Sequence, residues 1–230
     1  MIGGRFAGDL MGFNNDQARR LVFDIETAPI EDAAAYLEQP EVPANYKDPV
    51  KIAGYIAGKF REKLERCSLD IDLCRVVAIG CQLEGDEHVD ANVTNEIAES
   101  DLLTLFWLVA QGRHLVGFNC LGFDLPVLLR RSQYLGVPIP LIQIDKYRHP
   151  EVTDLQQVLS FNGAIKYRSL DFYARRFGLA VEPDVLTGPE IPQAVKDGRW
   201  ADIRAHVAAD VKRTAGLAMK LGLLREPVCL

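Results

Sequence analysis

Arg20-Leu21-Val22-Phe23-Asp24-Ile25-Glu26-Thr27 is the stretch on which the reading of the chain turns. The apolar run Leu21-Val22-Phe23 leads into Asp-x-Glu. Side chains alternate across a strand, so a strand here puts Asp24 and Glu26 on one face. The apolar run then lies inside a sheet and the carboxylates emerge at its end. Two carboxylates about 4 Å apart repel by roughly 4 kcal/mol at an effective dielectric near 20. A fold that keeps both ionised calls for a divalent cation, and hard cations such as Mg²⁺ prefer oxygen ligands. The plainer reading is a strand that runs into an acidic loop, and Asp-x-Glu alone is too common to choose between them. The choice rests on whether other segments supply partners.

The chain has 230 residues, enough to bury most of its apolar surface in one large domain or two small ones. No internal repeat, low-complexity tract or clear linker appears, so one domain over 19–230 is the simplest expectation. Residues 1–18 contain Gly and Asn, show no hydrophobic period, and read as a loose leader. The formal net charge of −6 argues against a protein that coats nucleic acid by bulk charge. An acidic protein holding cations can still take a polyanion, because the ions enter the local field. Eleven basic residues are scattered candidates for phosphate contact, each with the plainer reading of a solvated face: Lys51, Lys59, Arg61, Arg130, Arg131, Lys166, Arg168, Arg175, Arg176, Lys212 and Arg213. The five Cys are odd in number and form no C-x-x-C, which speaks against a disulfide framework or zinc ribbon and for a reducing cytoplasm. No apolar run reaches the length of a membrane span, and the first residues lack the apolar core of a signal peptide.

Residues 28–48, with Pro29, Pro40 and Pro43 among many acids, read as a long loop. Over 49–66, Ile52, Tyr55, Ile56, Phe60 and Leu64 recur near helical spacing. This helix is an insertion between the first two strands, read as a packing helix, with a substrate-side flap as the other reading. Strands are expected over 74–83 and 88–93, a helix over 95–111, a strand from His114 to Phe118 and a helix over 123–135. Residues 141–148 have no clear pattern. Short helices over 154–160 and 169–177 have Asp154 and Ser169 as N-caps. Gly188-Pro189 breaks the chain, and a helix over about 202–223 closes it. Three strands, a helix, a strand and then mostly helices make an α/β fold with a mixed central sheet flanked by helices.

Two further segments carry chemistry. In Gly117-Phe118-Asn119-Cys120-Leu121-Gly122-Phe123-Asp124-Leu125-Pro126, a strand enters a Gly-containing turn and then a helix with Asp124 near its start. Asp124 on its own reads as an acid on a helix dipole, and Asn119 as a turn residue. In the last helix His206 and Asp210 stand four apart and share one face, flanked by Val207, Val211 and Thr214. Both then point at the protein body.

Taken in order, Asp24-Ile25-Glu26-Thr27, Asn119-x-x-x-Phe123-Asp124 and His206-x-x-x-Asp210 resemble the motifs of the DEDD superfamily of 3′–5′ exonucleases. The second segment is most similar to the proofreading domain of family B DNA polymerases, and to the stand-alone predicted exonucleases related to it. Ser169-Leu170-Asp171-Phe172-Tyr173-Ala174-Arg175-Arg176-Phe177-Gly178-Leu179 resembles the stretch between the second and third motifs, so the likeness spans about 20–224. The resemblance implies a ribonuclease H-like fold and phosphodiester hydrolysis assisted by two divalent ions, Mg²⁺ or Mn²⁺. It implies Asp24 between both ions, Glu26 and Asp210 completing one, and Asp124 serving the other. It gives His206 the attacking water, and an imidazole, titrating nearer neutrality than a phenol, suits that task. It puts Thr27, Asn119 and Phe123 at the terminal nucleotide, Phe123 available for stacking. The polymerase-like branch has Tyr-x-x-x-Asp as its third motif, and the other main branch has His with four residues before the Asp. This chain joins the His to the shorter spacing.

The implied substrate is the 3′ end of single-stranded DNA, with a separate polymerase or replication protein as partner. A ribonuclease trimming RNA 3′ ends would use the same carboxylates. A catalytically silent nucleic-acid-binding or docking module of the same fold is the reading from another class.

Overall fold

The computed structural model describes residues 19–145, 148–180 and 185–225. The expected leader, 1–18, lies outside the described residues. The sheet centres on β1 (Leu21–Pro29). On one side β2 (Cys74–Leu83) pairs with it antiparallel, and β3 (Asp90–Val93) pairs with β2. On the other side β4 (Leu115–Gly117) runs parallel to β1, and β5 (Val152–Asp154) runs parallel to β4. The order is β3-β2-β1-β4-β5. The helices are α1 (Pro49–Arg66), α2 (Glu99–Ala110), α3 (Asp124–Leu135), α4 (Leu155–Leu159), α5 (Leu170–Arg176), α6 (Ile191–Lys196) and α7 (Trp200–Lys220).

The two faces of β1 differ as strand alternation requires. Leu21, Phe23 and Ile25 pack with Leu102, Leu103 and Phe106 of α2 and with Leu125 and Leu128 of α3. A side chain as fully buried as Phe23 contributes about 1.5–3 kcal/mol over leaving it exposed. On the other face Val22 packs with Val211 and Ala215 of α7, and Ala28 with Ile203 and Val207. Asp24 and Glu26 fall between these two apolar contacts. The carboxylates therefore interrupt a hydrophobic seam between β1 and α7.

Beyond β1, α2 and α3 are tied by a two-pronged ion pair. Arg131 donates from Nε and Nη2 to Glu99 at 2.8 and 2.7 Å, and Glu99 also accepts the Val76 N–H at 2.8 Å. Arg131 is therefore a buried structural cation rather than a phosphate contact.

Several expectations change. β1 does not end at the carboxylates. It continues to Pro29 because β2 pairs with it as far as Pro29↔Cys74, with a bulge between Glu26 and Thr27. Three residues are too few to show alternation, which is why β5 leaves no trace in the sequence. The hairpin partner shortens to Asp90–Val93, and α6 and a 3₁₀ turn at Ala33–Tyr36 are added. α1 forms as expected behind an Asp48 cap that accepts the Val50 N–H, but buries none of its residues, so it packs far less than a packing helix should. Asp154 and Ser169 cap α4 and α5 as the sequence indicates.

α7 can lie this close to β1 and β2 because Gly80, paired with Asp24, has no Cβ. A Cβ there would stand 2.8 Å from Val211 Cγ2 and 3.2 Å from Val207 Cγ2. Gly80→Ala should lower stability by about 1–3 kcal/mol, the usual cost of overpacking, read as a lower denaturant midpoint. Gly58→Ala on α1, which meets open space, should instead add about 0.5–1 kcal/mol.

Candidate active site

β4 pairs with β1 only at Leu21 and Val22, so the edge of β1 is open from Asp24 onward. The turn after β4 fills that gap. Gly117 allows it to fold back tightly, since a Cβ there would lie 2.6 Å from Cys120 Cβ. Asn119 takes a left-handed conformation, φ 59°. Asn119 O accepts from the Gly122 and Phe123 N–H groups at 3.0 and 3.1 Å. From the neighbouring strand the buried Asp154 carboxylate accepts the Asn119 N–H at 2.9 Å and the Leu121 N–H at 3.1 Å. The same carboxylate caps α4 at Gln156 and Gln157. α3 then begins at Asp124, whose carboxylate is held by its own N–H and that of Ile25. The turn thus delivers Asp124 to the exposed edge of β1.

α7 supplies the remaining groups from above. His206 Nε2 lies 3.3 Å from Glu26 Oε1 and 3.8 Å from Asp210 Oδ2. Arg213, one turn on, donates to Asp210 Oδ1 at 2.6 Å. Glu26, Asp124, His206 and Arg213 are buried, and Asp24 and Asp210 are half-buried. Arg213 is therefore a counter-charge within the site and no part of a surface track.

The charges are badly balanced. Burial pushes the Asp24 carboxyl well above its ordinary range, and Asp124, Asp210 and Glu26 push it further in the same direction. Burial also raises Asp124, to about 7, with Asp154 and Asp210 adding to the shift while the two N–H groups oppose it. A divalent cation would reverse this by replacing lost solvation with oxygen ligands. The donor set suits one: an oxygen of Glu26, a ring nitrogen of His206 and an oxygen of Asp210 lie within 4.8 Å of one another.

Asp24, Glu26, Asp124, His206 and Asp210 are thus brought together from three segments, β1, the start of α3 and α7. Of the other three residues expected at the site, Thr27 is buried and donates its hydroxyl to Ser68 O at 2.6 Å. Asn119 turns its side chain over Gly122, where a Cβ would meet Asn119 Oδ1 at 2.5 Å. Phe123 is half-buried against the α2–α3 core. Sequence reasoning gave Asp154 only a cap, and missed its hold on the turn. It also missed the Arg213–Asp210 pair, whose one signal was the spacing of three on a helix.

The fold is ribonuclease H-like. The family B DNA polymerase from the hyperthermophilic archaeon Pyrobaculum calidifontis superposes on it with a TM-score of 0.61. The identity is 22%, over 89% of this chain and 24% of the polymerase, so the chain spans about a quarter of that protein. No curated protein matches the chain. Residues 68–228 match the family described as predicted 3′–5′ exonucleases related to the exonuclease domain of PolB, and the chain belongs to that family. The match includes the Asn119–Asp124 turn and α7 and leaves β1 outside. Among the described residues, no helix is long and apolar enough to cross a membrane.

The raised Asp24 carboxyl has a consequence for stability. Its folded-state value lies above the unfolded one, so the metal-free protein loses stability as pH rises from about 4 through the raised value. Asp24→Asn removes that loss. In chelator at neutral pH the variant should be more stable than the parent by on the order of 1 kcal/mol or more. Melting curves across pH should show the gap closing as both proteins are brought below about pH 4.

Proposed function

We propose that this protein is a metal-dependent 3′–5′ exonuclease that hydrolyses phosphodiester bonds at the 3′ end of single-stranded DNA. The observation that carries this reading is the crowding of Asp24, Glu26, Asp124 and Asp210 beside His206, an arrangement costly to the fold unless it serves a cation. Asp24, Glu26 and Asp210 would hold one Mg²⁺ or Mn²⁺ ion, and Asp24 with Asp124 a second. Bound in this way, the ions would supply Lewis-acid stabilisation of the charge that develops on the phosphate and on the leaving 3′-oxygen.

The chain's own groups do the rest. His206 takes a proton from the attacking water, and Glu26, 3.3 Å from its Nε2, fixes the ring's orientation. Arg213 keeps Asp210 turned toward the site. Asn119 and Phe123 flank the terminal nucleotide, with the Phe123 ring as a stacking surface. Thr27, with its hydroxyl bound to Ser68, takes part through its main chain. A polymerase working on the same 3′ end is the partner this activity implies.

The test uses 5′-labelled single-stranded DNA and RNA incubated with protein and Mg²⁺ or Mn²⁺. A DNA ladder shortening from the 3′ end, lost with chelator and in Asp24→Asn, is the expected result. Shortening of RNA alone would transfer the reading to a ribonuclease. Absence of cleavage of either polymer under any divalent ion would sink it. His206→Ala should lower the single-turnover rate by about 10²-fold or more, the usual contribution of a general base. Saturating Mn²⁺ should raise the melting temperature of the parent protein, and raise that of Asp210→Asn less.

A further inference from the structure

We propose that the segment from Phe161 to Phe172 is a track for the single strand leading away from the 3′ terminus, with bases stacked on its aromatic rings and phosphates met by Lys166 and Arg168. The proposal rests on the reading of the site given above. Every residue from Phe161 to Ser169 is exposed. Within twelve residues Phe161 is 71% exposed, Ile165 53%, Tyr167 60% and Phe172 41%. Large apolar side chains grouped in this way on a surface mark an interaction site, whereas single ones do not.

The loop is built to hold them there. Phe161, Asn162 and Gly163 take three successive positive φ angles, 53°, 56° and 85°. A left-handed phenylalanine is strained and persists only where its surroundings enforce it. Ser160, buried beneath the loop, accepts the Gly163 N–H on Oγ at 3.1 Å and the Ile165 N–H on its carbonyl at 3.1 Å. Asn162 donates its N–H to Gln157 O at 2.8 Å. The backbone holds this conformation with the Phe161 ring exposed to solvent.

The segment is joined to the site. α4, which precedes it, is capped by Asp154, the carboxylate that holds the Asn119 turn. Phe118, immediately before Asn119, packs at a tilt against Tyr173 with ring centroids 6.2 Å apart, and Tyr173 meets Phe172 edge-on at 5.6 Å. Arg168 lies over the Phe172 ring at 5.4 Å and donates its N–H to the Tyr173 hydroxyl oxygen at 3.2 Å. A run of rings thus leads from the strand end before the Asn119 turn to the surface.

Charge selects the occupant. On a chain of net charge −6, Lys166 and Arg168 have no acidic partner among the described residues, as is also true of Lys51, Arg61 and Lys212, and the one acid of the segment, Asp171, is paired with Arg175. What sets Lys166 and Arg168 apart is their position among the exposed side chains of Ile165, Tyr167 and Phe172, with Arg168 over the Phe172 ring. Cations alternating with ring faces suit unstacked bases on a polyanionic backbone, and a duplex keeps its bases stacked away from such rings.

The test measures binding of the full chain to a fluorescent oligodeoxythymidylate in chelator, so that no cleavage intervenes. Phe161→Asn with Tyr167→Ala should weaken binding about 5- to 150-fold per ring removed, with an unchanged melting temperature. Asn is chosen because it tolerates the left-handed backbone. Lys166→Gln with Arg168→Gln should lower the slope of log affinity against log salt by about 1.4, the contribution of two contacts to single-stranded DNA. Under Mn²⁺ the ring variant should raise KM for the long oligonucleotide and leave cleavage of a dinucleotide unchanged. Equal affinity and KM in parent and variants would overturn the track while leaving the exonuclease intact. Ring-dependent binding with no cleavage by any metal would support the track and remove the exonuclease. Loss of affinity on removing the cations, but not the rings, would overturn stacking and leave only nonspecific charge.

Discussion

Mutual repulsion among Asp24, Glu26, Asp124 and Asp210 is the constraint that the rest of the structure has to meet. Each carboxylate would gain by moving away, and the packing prevents it. Val22 with Val211 and Ala215 fixes α7 on one side of the charged gap, and Ala28 with Ile203 and Val207 fixes it on the other. Gly80 sets the depth of that contact from the neighbouring strand. α7 is thus clamped at both ends of the charged gap and cannot lift to let the carboxylates separate. Relief is local and uneven. Asp210 has Arg213, and Asp124 has two N–H groups, whereas every influence on Asp24 raises it. A carboxylate with no such support, in the middle of a rigid strand, is where a cation gains the most.

The second motif shows how a short segment is made rigid without a core of its own. Its position depends on Asp154, a buried carboxylate that accepts from four backbone N–H groups across two elements. This is dense use of one side chain, and it couples the end of β5 to the start of α3. The coupling has an electrostatic side, because the charge of Asp154 also raises Asp124. The residue that places the catalytic candidate therefore also makes it harder to ionise, and the N–H groups of Ile25 and Asp124 act against that effect.

What the sequence reveals and what it hides divide along physical lines. Asp24 and Glu26 on one face, and His206 and Asp210 on another, follow from the periods of strand and helix and need no tertiary knowledge. The three motif segments and the helices with clear caps are legible for the same reason. The continuation of β1 to Pro29 is not, because it depends on pairing with Cys74, far along the chain. Val152-Thr153-Asp154 becomes a strand only because β4 is beside it. Arg131 and Arg213 look like surface cations until their acids are placed. α1 has a fair amphipathic pattern yet buries nothing, since period reports the face a helix could bury and not whether a partner exists.

The mixed third motif is explained by the same helical geometry. Its side chain and its spacing belong to different branches of the resemblance, so the question is which position on α7 faces Glu26. Four residues along a helix advance about 400°, leaving His206 some 40° from Asp210. The residue one earlier is a further 100° round. Ala205 is accordingly exposed, and His206 is buried against Glu26. On this helix a histidine with the longer spacing would take the exposed position of Ala205. The shorter spacing is therefore the one that lets an imidazole reach the carboxylates. It is also the spacing that keeps Val207 and Val211 on the seam holding α7 to the sheet.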